Sequence, residues 1–431
     1  IFAVESAVNE LAHKMGMDPV KVKEMNMPVE GGPLPGYPDV PYAQSCSMDR
    51  CMARAKEMMD WDSKYPCRDM GNGKVRGVGV AMAMQGSSIA GVDVGGADIK
   101  LNEDGSYTLA LGCTDMGTGC DTVMAQIAAD CLNTPMDNIV VFSVDTDISP
   151  YDSGSYASAT TYTTGVAVMK ACEELKKKIC KLGAEMMEVD EGKVDFDGSC
   201  VFYDETLEIS DGADGNAAGH MTDAEEGYSV DMDAISSENA QKKVSLEDIA
   251  LKSTFFNNIE LQVVKQHSSP ISPPPFMVGM AEVEVDTETG SVDVLDYVAV
   301  VDCGTPINPN LARVQTEGGI AQGIGMALWE DVQYTDKGKI RNNSFMQYKI
   351  PTRQDIGNIR VDFECSYEKS GPFGAKSIGE LVIDTPCPAL AEAIYNATGV
   401  RLTELPMTPE KIAMEILKNR ESIRSGTKVE E

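Results

Sequence analysis

The stretch Gly371-Pro372-Phe373-Gly374-Ala375-Lys376-Ser377-Ile378-Gly379-Glu380 constrains this chain more than any other. Small residues surround a single carboxylate. Glycines let a backbone turn sharply and approach a bound group closely. A Glu ending such a turn, just before the apolar Leu381-Val382-Ile383, is expected in a partly desolvated pocket. Desolvation disfavours the charged carboxylate and raises its pKa toward the range of a general base. An ordinary glycine turn capped by a surface Glu has the same local sequence, so the turn alone leaves both readings open.

Composition removes several classes. A chain of 431 residues, 42% apolar, can bury a sizeable core in two or more lobes. The formal net charge of −32 repels phosphate backbones and anionic lipid, so no nucleic-acid or membrane partner is expected. No apolar run approaches the roughly 18 residues that span a bilayer. The N-terminus lacks the pattern of a secretory leader, and the chain opens with Ile1, so its true start is expected to be missing. The twelve cysteines are scattered without a C-x-x-C pair, and no third cysteine follows Cys46 and Cys51 at iron–sulfur spacing. The three histidines, His13, His220 and His267, lie far apart, which argues against a zinc site. Free thiols in a reducing cytoplasm are the expectation.

Local patterns predict the elements. Val4, Val8, Leu11, Ala12 and Met15 have helical spacing, and Asp18-Pro19 begins a second short helix. Residues 28–46, rich in Pro and Gly, read as a crossing loop, and 47–62 as helical. Strands are expected over Val75–Ala83 and Ala97–Leu101, with Tyr107–Leu111 returning as a hairpin partner. A glycine loop, Gly112 to Gly119, then feeds a helix from Cys120 to Leu132, so its backbone N–H groups suit an anion. It lacks the Lys-Ser/Thr of a P-loop. Ile139–Val144 reads as a strand, and the hydroxyl-rich run Gly154 to Thr161 opens a helix to about Leu182. Residues 183–245, acidic and poor in apolar side chains, read as a surface excursion with a hairpin near Val194–Tyr203. Gly212 to Asn216 resembles a calcium loop only loosely. A new lobe begins at Ile259. Four prolines between Pro270 and Pro275 stiffen a linker. A hairpin follows, Met280–Asp286 turning at Thr287–Gly290 into Val292–Val301. Asn308-Pro309 starts a helix carrying Gln315, Gly318, Gly319, Gly323 and Gly325, glycines that close packing on a helix or a cofactor would compensate. No G-x-G-x-x-G occurs, which weighs against a dinucleotide-binding dehydrogenase.

In this order, from Phe2 to about Ile416, and above all in GPFGAKSIGE, the chain resembles the molybdenum-binding subunit of the xanthine dehydrogenase and aldehyde oxidoreductase family. The resemblance implies an α+β fold of mixed sheets with packed helices, an elongated two-lobed molybdopterin-binding domain. It divides the chain into residues 1–70, the helical end of a first molybdenum-binding domain, and residues 71–258 and 259–431, two lobes of a second. It implies a molybdenum–molybdopterin cofactor, with a cytosine dinucleotide form as one option, and no metal ligand from the protein. Glu380 becomes the general base of a hydroxylation that uses water as its oxygen source. Cofactor contacts fall to Gly117, Thr118 and Gly119, to Ala157, Ser158, Ala159 and Thr160, to Gln315, and to Lys376, Ser377, Ile378 and Gly379. Ser87, Ser88, Gly374 and Ala375 line the substrate pocket. The family has Gln where this chain has Thr118, and purine-oxidising members place an aromatic roughly where Ser87 falls. The implied partners are the N-terminal portion of the subunit on another chain, a [2Fe–2S] subunit and a FAD subunit. Xanthine or a related purine is the first expected substrate, with nicotinate-type heterocycles and aldehydes as alternatives. An acidic, non-catalytic scaffold protein is the reading from a different class.

Overall fold

A computed structural model describes residues 1–36, 40–207, 242–255 and 260–425. The loosely calcium-like Gly212–Asn216 lies outside them. Four helices open the chain: α1 (Phe2–Lys14), α2 (Pro19–Glu24), α3 (Met48–Met59) and α4 (Trp61–Lys64). Asp18 caps α2, its carboxylate accepting from Val20 N at 2.8 Å ahead of Pro19 at the first helical position. Strands β1 (Cys67–Gly71), β2 (Lys74–Met84), β3 (Gly95–Leu101) and β4 (Tyr107–Leu111) follow. Next come α5 (Cys120–Leu132), β5 (Ile139–Ser143) and α6 (Gly165–Met187), which one wide turn at Thr160–Thr164 introduces. A small meander, β6 (Val194–Phe196), β7 (Cys200–Tyr203) and β8 (Lys243–Ser245), precedes α7 (Leu246–Phe255) and β9 (Gln262–His267). The long hairpin β10 (Phe276–Asp286) and β11 (Val292–Asp302) leads to α8 (Pro309–Leu328). β12 (Asn358–Phe363), α9 (Leu381–Asp384), α10 (Pro386–Thr398) and α11 (Pro409–Ser425) complete the chain.

The fold is α+β with mixed sheets. One sheet has the order β5-β4-β3-β9, antiparallel except where β5 lies parallel to β4. Its apolar face packs on α5 and α6, and the meander and α7 close the same core through Val194, Phe196, Val201, Leu246 and Ile249. The second sheet runs β1-β2-β10-β11-β12, with β12 parallel to β11. Both faces are covered, which suits a strand such as β10 that is apolar on both sides. Phe276, Val278 and Met280 meet α3, whereas Met277 and Ala281 share a core with α8, α9 and α10.

Pairing departs from sequence order. β9 completes the sheet of β3 to β5, and β2 pairs along its whole length with β10. The expected boundaries at 70/71 and 258/259 therefore do not mark where the chain changes sheet. The expected excursion at 183–245 is not what residues 183–207 and 242–245 form, because α6 continues to Met187 and the meander is anchored in the core, while residues 208–241 lie outside the described ones. The first helix differs most. It buries Glu5, Asn9 and Ala12 while Val4, Leu11 and Met15 are exposed, so its apolar spacing does not mark its inner face.

Candidate active site

The turn at 371–380 is held from below. Phe373 and Gly374 have φ of 50° and 84°, and a Cβ at Gly374 would lie 2.3 Å from the Tyr367 ring, so that position requires glycine. Lys376 N donates to Cys303 O at 2.8 Å. Ser377 N donates to Ser87 Oγ at 3.0 Å, and Ser377 Oγ to Gly86 O at 3.3 Å. The backbone then reaches the surface at Gly379 and Glu380, both exposed, before α9 drops Leu381 and Val382 into the core at 1% exposure each. The expected desolvation of Glu380 is thus not met within this chain, because the apolar residues after it pack inward and leave the acid at the rim.

The carboxylate is nonetheless oriented. Glu380 Oε2 accepts from Ser158 Oγ at 3.0 Å and from Gln85 Nε2 at 2.5 Å, and Glu380 N donates to Ser158 Oγ at 3.0 Å. Among the described residues Oε1 receives no hydrogen bond. Below the acid, burial pushes the Asp384 carboxyl up, and the negative charge of Glu380 adds to that shift.

Ser158 reaches Glu380 from the entry to α6. Ala157 and Ser158 have φ of 49° and 55°, left-handed for residues with a Cβ. Such strain is held only where surrounding structure imposes it. Here Ser88 N donates to Ala157 O at 3.2 Å, and Ser88 itself has φ 87°. The Ser88 hydroxyl is buried without a hydrogen-bond partner. Thr160 starts the wide turn that joins this run to α6, and Ala159 is buried.

The glycine loop behaves otherwise than expected. Asp115 Oδ1 accepts from Gly117 N at 2.9 Å and Gly119 N at 3.1 Å, and Oδ2 from Asp121 N at 3.4 Å. Burial pushes the Asp115 carboxyl up, but these amides outweigh it and hold the group below the usual carboxylate range. The loop amides are therefore already occupied by an internal anion. The loop rests on the start of α8, since a Cβ at Gly119 would meet Leu311 Cδ1 at 2.7 Å. Asn308 caps that helix, accepting from Leu311 N and donating to Gln126 Oε1 of α5, both at 3.0 Å. Gln315 lies one turn further along, half-buried.

Glu380, Gly379, Ser377, Ser158, Ala157 and Ser88 thus meet at one rim. Three expectations change. The Lys376 side chain turns inward, 3.0 Å from Asp302 with both side chains 0% exposed, so its charge does not face the rim. Gly374 and Ala375 are buried beneath the turn instead of lining a pocket, with Gly374 O accepting from Thr305 N at 3.0 Å. Ser87 is 0% exposed and ties down Ser377, leaving Ser88 as the member of that pair whose buried hydroxyl has no partner. Gln85 was not singled out from the sequence. Its signal was a polar run, Gln85 to Ser88, placed directly after a buried strand.

The chain as a whole is similar to known proteins. Residues 54–357 match the sequence model of a molybdopterin cofactor-binding domain. The chain is 33% identical over 427 residues to the probable hypoxanthine oxidase XdhD of Escherichia coli K12, covering 95% of this chain and 40% of that protein. It is 29% identical over 421 residues to the putative xanthine dehydrogenase molybdenum-binding subunit XdhA of the same strain, covering 96% and 51%. The fold superposes on quinoline 2-oxidoreductase from Pseudomonas putida 86 with a TM-score of 0.79 at 21% identity, covering 97% and 52%. The fold and the sequence define a molybdopterin-binding chain. It belongs to the xanthine dehydrogenase and aldehyde oxidoreductase family, and spans between 40% and 51% of the length of these two curated relatives.

Proposed function

We propose that this chain carries the general base of a molybdenum hydroxylase, Glu380, and that the enzyme hydroxylates a purine-type heterocycle with water as the oxygen source. The observation that carries this reading is the carboxylate at the rim, anchored through Oε2 and open at Oε1. A base must be oriented toward the proton it takes. Oε1 is the atom that receives it, while Ser158 keeps the anion from turning away. The residues present fit the cofactor. The rim offers the Ser158 hydroxyl and an unpartnered buried Ser88 hydroxyl, and the glycine loop has open space beside Gly117, where a Cβ would meet nothing within 4 Å. Gln315, Thr118, Thr160 and Gly379 are further proposed contacts, on the strength of the family resemblance. Bound there, molybdenum–molybdopterin would supply two-electron redox chemistry. The protein contributes orientation, hydrogen bonds and the base.

The two curated relatives above bear purine-related names, which supports a purine over an aldehyde or a nicotinate-type substrate. The chain's partial coverage of them supports a further portion of the molybdenum subunit, on another polypeptide or the same one, enclosing Glu380 from the open side. Electrons leaving the site need carriers. [2Fe–2S] and FAD subunits are the proposed ones, with the cytosine dinucleotide form of the pterin as an option. Twelve cysteines, all unpaired, suit a cytoplasmic enzyme.

The test uses the purified complex. Molybdenum near one per copy is expected, with turnover on hypoxanthine or xanthine exceeding that on nicotinate or an aldehyde. Glu380→Gln should keep the metal but lower kcat by about 10³-fold, the scale of a lost general base. Near-normal turnover in that variant removes Glu380 from the mechanism.

A further inference from the structure

We infer that Gln85 is a positioning residue for the base, clamping one oxygen of Glu380 so that the other is presented for proton transfer. The inference rests on Glu380 being the base. A carboxylate only accepts, so the Gln85 amide must offer its Nε2 hydrogens, and it does so to Oε2 at 2.5 Å. Ser158 Oγ addresses the same oxygen at 3.0 Å. Two donors on one oxygen fix the carboxyl plane, and among the described residues Oε1 is left without a donor.

A casual surface contact would let either partner drift. Here the two backbones are joined immediately beside the contact. Ser377, three residues before Glu380, donates from its backbone N to Ser87 Oγ and from its hydroxyl to Gly86 O. On the other side, Gln85 N donates to Pro275 O at 3.4 Å, at the end of the β2–β10 ladder. Gly86 has no room for a side chain, since a Cβ would lie 2.4 Å from Ser272 Oγ. Ser272 Oγ in turn donates to Ser88 O at 2.7 Å. Gln85 thus stands on the rigid end of a buried strand and reaches an acid on a tethered turn. Sites built on strands hold geometry better than sites built on free loops.

Gln85→Met keeps the length and removes the donor. In the assembled holoenzyme we expect molybdenum content unchanged, KM within about twofold and kcat reduced about tenfold, the scale of one hydrogen bond to a charged group. The decisive measurement is the single-turnover rate of cofactor reduction in a double-mutant cycle. If Gln85 acts through Glu380, Gln85→Met adds no further loss in a Glu380→Gln background. An equal loss in both backgrounds overturns the inference and leaves Glu380 as the base. So does a raised KM at unchanged kcat, or lost molybdenum, which would make Gln85 a substrate or cofactor contact. A Glu380→Gln enzyme at the normal rate overturns the base assignment, and the inference with it.

Discussion

Lys376 and Asp302 form an ion pair with no access to solvent. Burying two charges costs several kcal/mol each unless every remaining donor and acceptor is used. They are used here. Asp302 also accepts from Ser47 N at 2.9 Å, Gly304 N at 3.0 Å and Ser366 Oγ at 2.7 Å. Lys376 donates to Ser45 O at 3.1 Å and lies 4.9 Å from the centre of the Phe276 ring. This cluster pins the turn that ends at Glu380. Lys376→Met strands the Asp302 charge and should destabilise the fold by about 3–5 kcal/mol, read as a lowered thermal midpoint. Adding Asp302→Asn should recover part of the loss, because the stranded charge is then gone. Asp115 has a comparable role in the glycine loop. Its folded pKa lies below the unfolded value of about 3.9, so its contribution is complete above that value and vanishes as pH falls through the folded one. Asp115→Asn should therefore raise amide hydrogen exchange at Gly117 and Gly119 at neutral pH, with the difference shrinking as pH falls below the usual carboxylate range.

Among the elements, α10 lies directly on β2. A Cβ at Gly77 would come 2.2 Å from Ala393 O, and one at Gly79 would come 2.1 Å from Ala389 O. Backbone atoms cannot move aside as a flexible side chain can, so Gly79→Val should cost at least about 1–3 kcal/mol as overpacking, measured by denaturant unfolding. The glycines of α8 serve the same purpose. Gly319 faces Val382 and Gly323 faces Pro386, which explains how a helix so rich in glycine is tolerated. α1 is held by a different force. β1 covers β2 only as far as Gly77, which leaves the edge beyond it without a strand. Glu5 accepts from Met82 N at 2.6 Å and Asn9 donates to Val80 O at 3.2 Å, and Lys23 pairs with Glu5 at 2.9 Å. Edge backbone groups demand partners, and meeting that demand turned the polar side of α1 inward. Hydrophobic spacing carries no information about such an edge, so the spacing of Val4, Leu11 and Met15 marked a helix but not its inner face. Where capping and turn chemistry decide, the elements matched closely. α5 spans Cys120–Leu132 as expected, and the hairpin of β10 and β11 turns at Thr287–Gly290.

For the whole molecule, the net charge of −32 sits on a surface whose cores are ordinary. Among the described residues no helix is long and apolar enough to cross a membrane. The two large sheets exchange strands across the sequence, and the candidate site lies where loops from both meet. Ser158 comes from the entry to α6, Gln85 from the end of β2, and Glu380 from the turn before α9. The sequence by itself determined most of the individual elements and the family, because caps, turns and motifs are written in neighbouring residues. Only the tertiary structure decided that Lys376 serves the interior, that Asp115 fills the loop amides, and that Gln85 grips the acid. Those outcomes depend on groups as much as 331 positions apart in the chain, and on which of several possible partners each polar group finds once the sheets have paired.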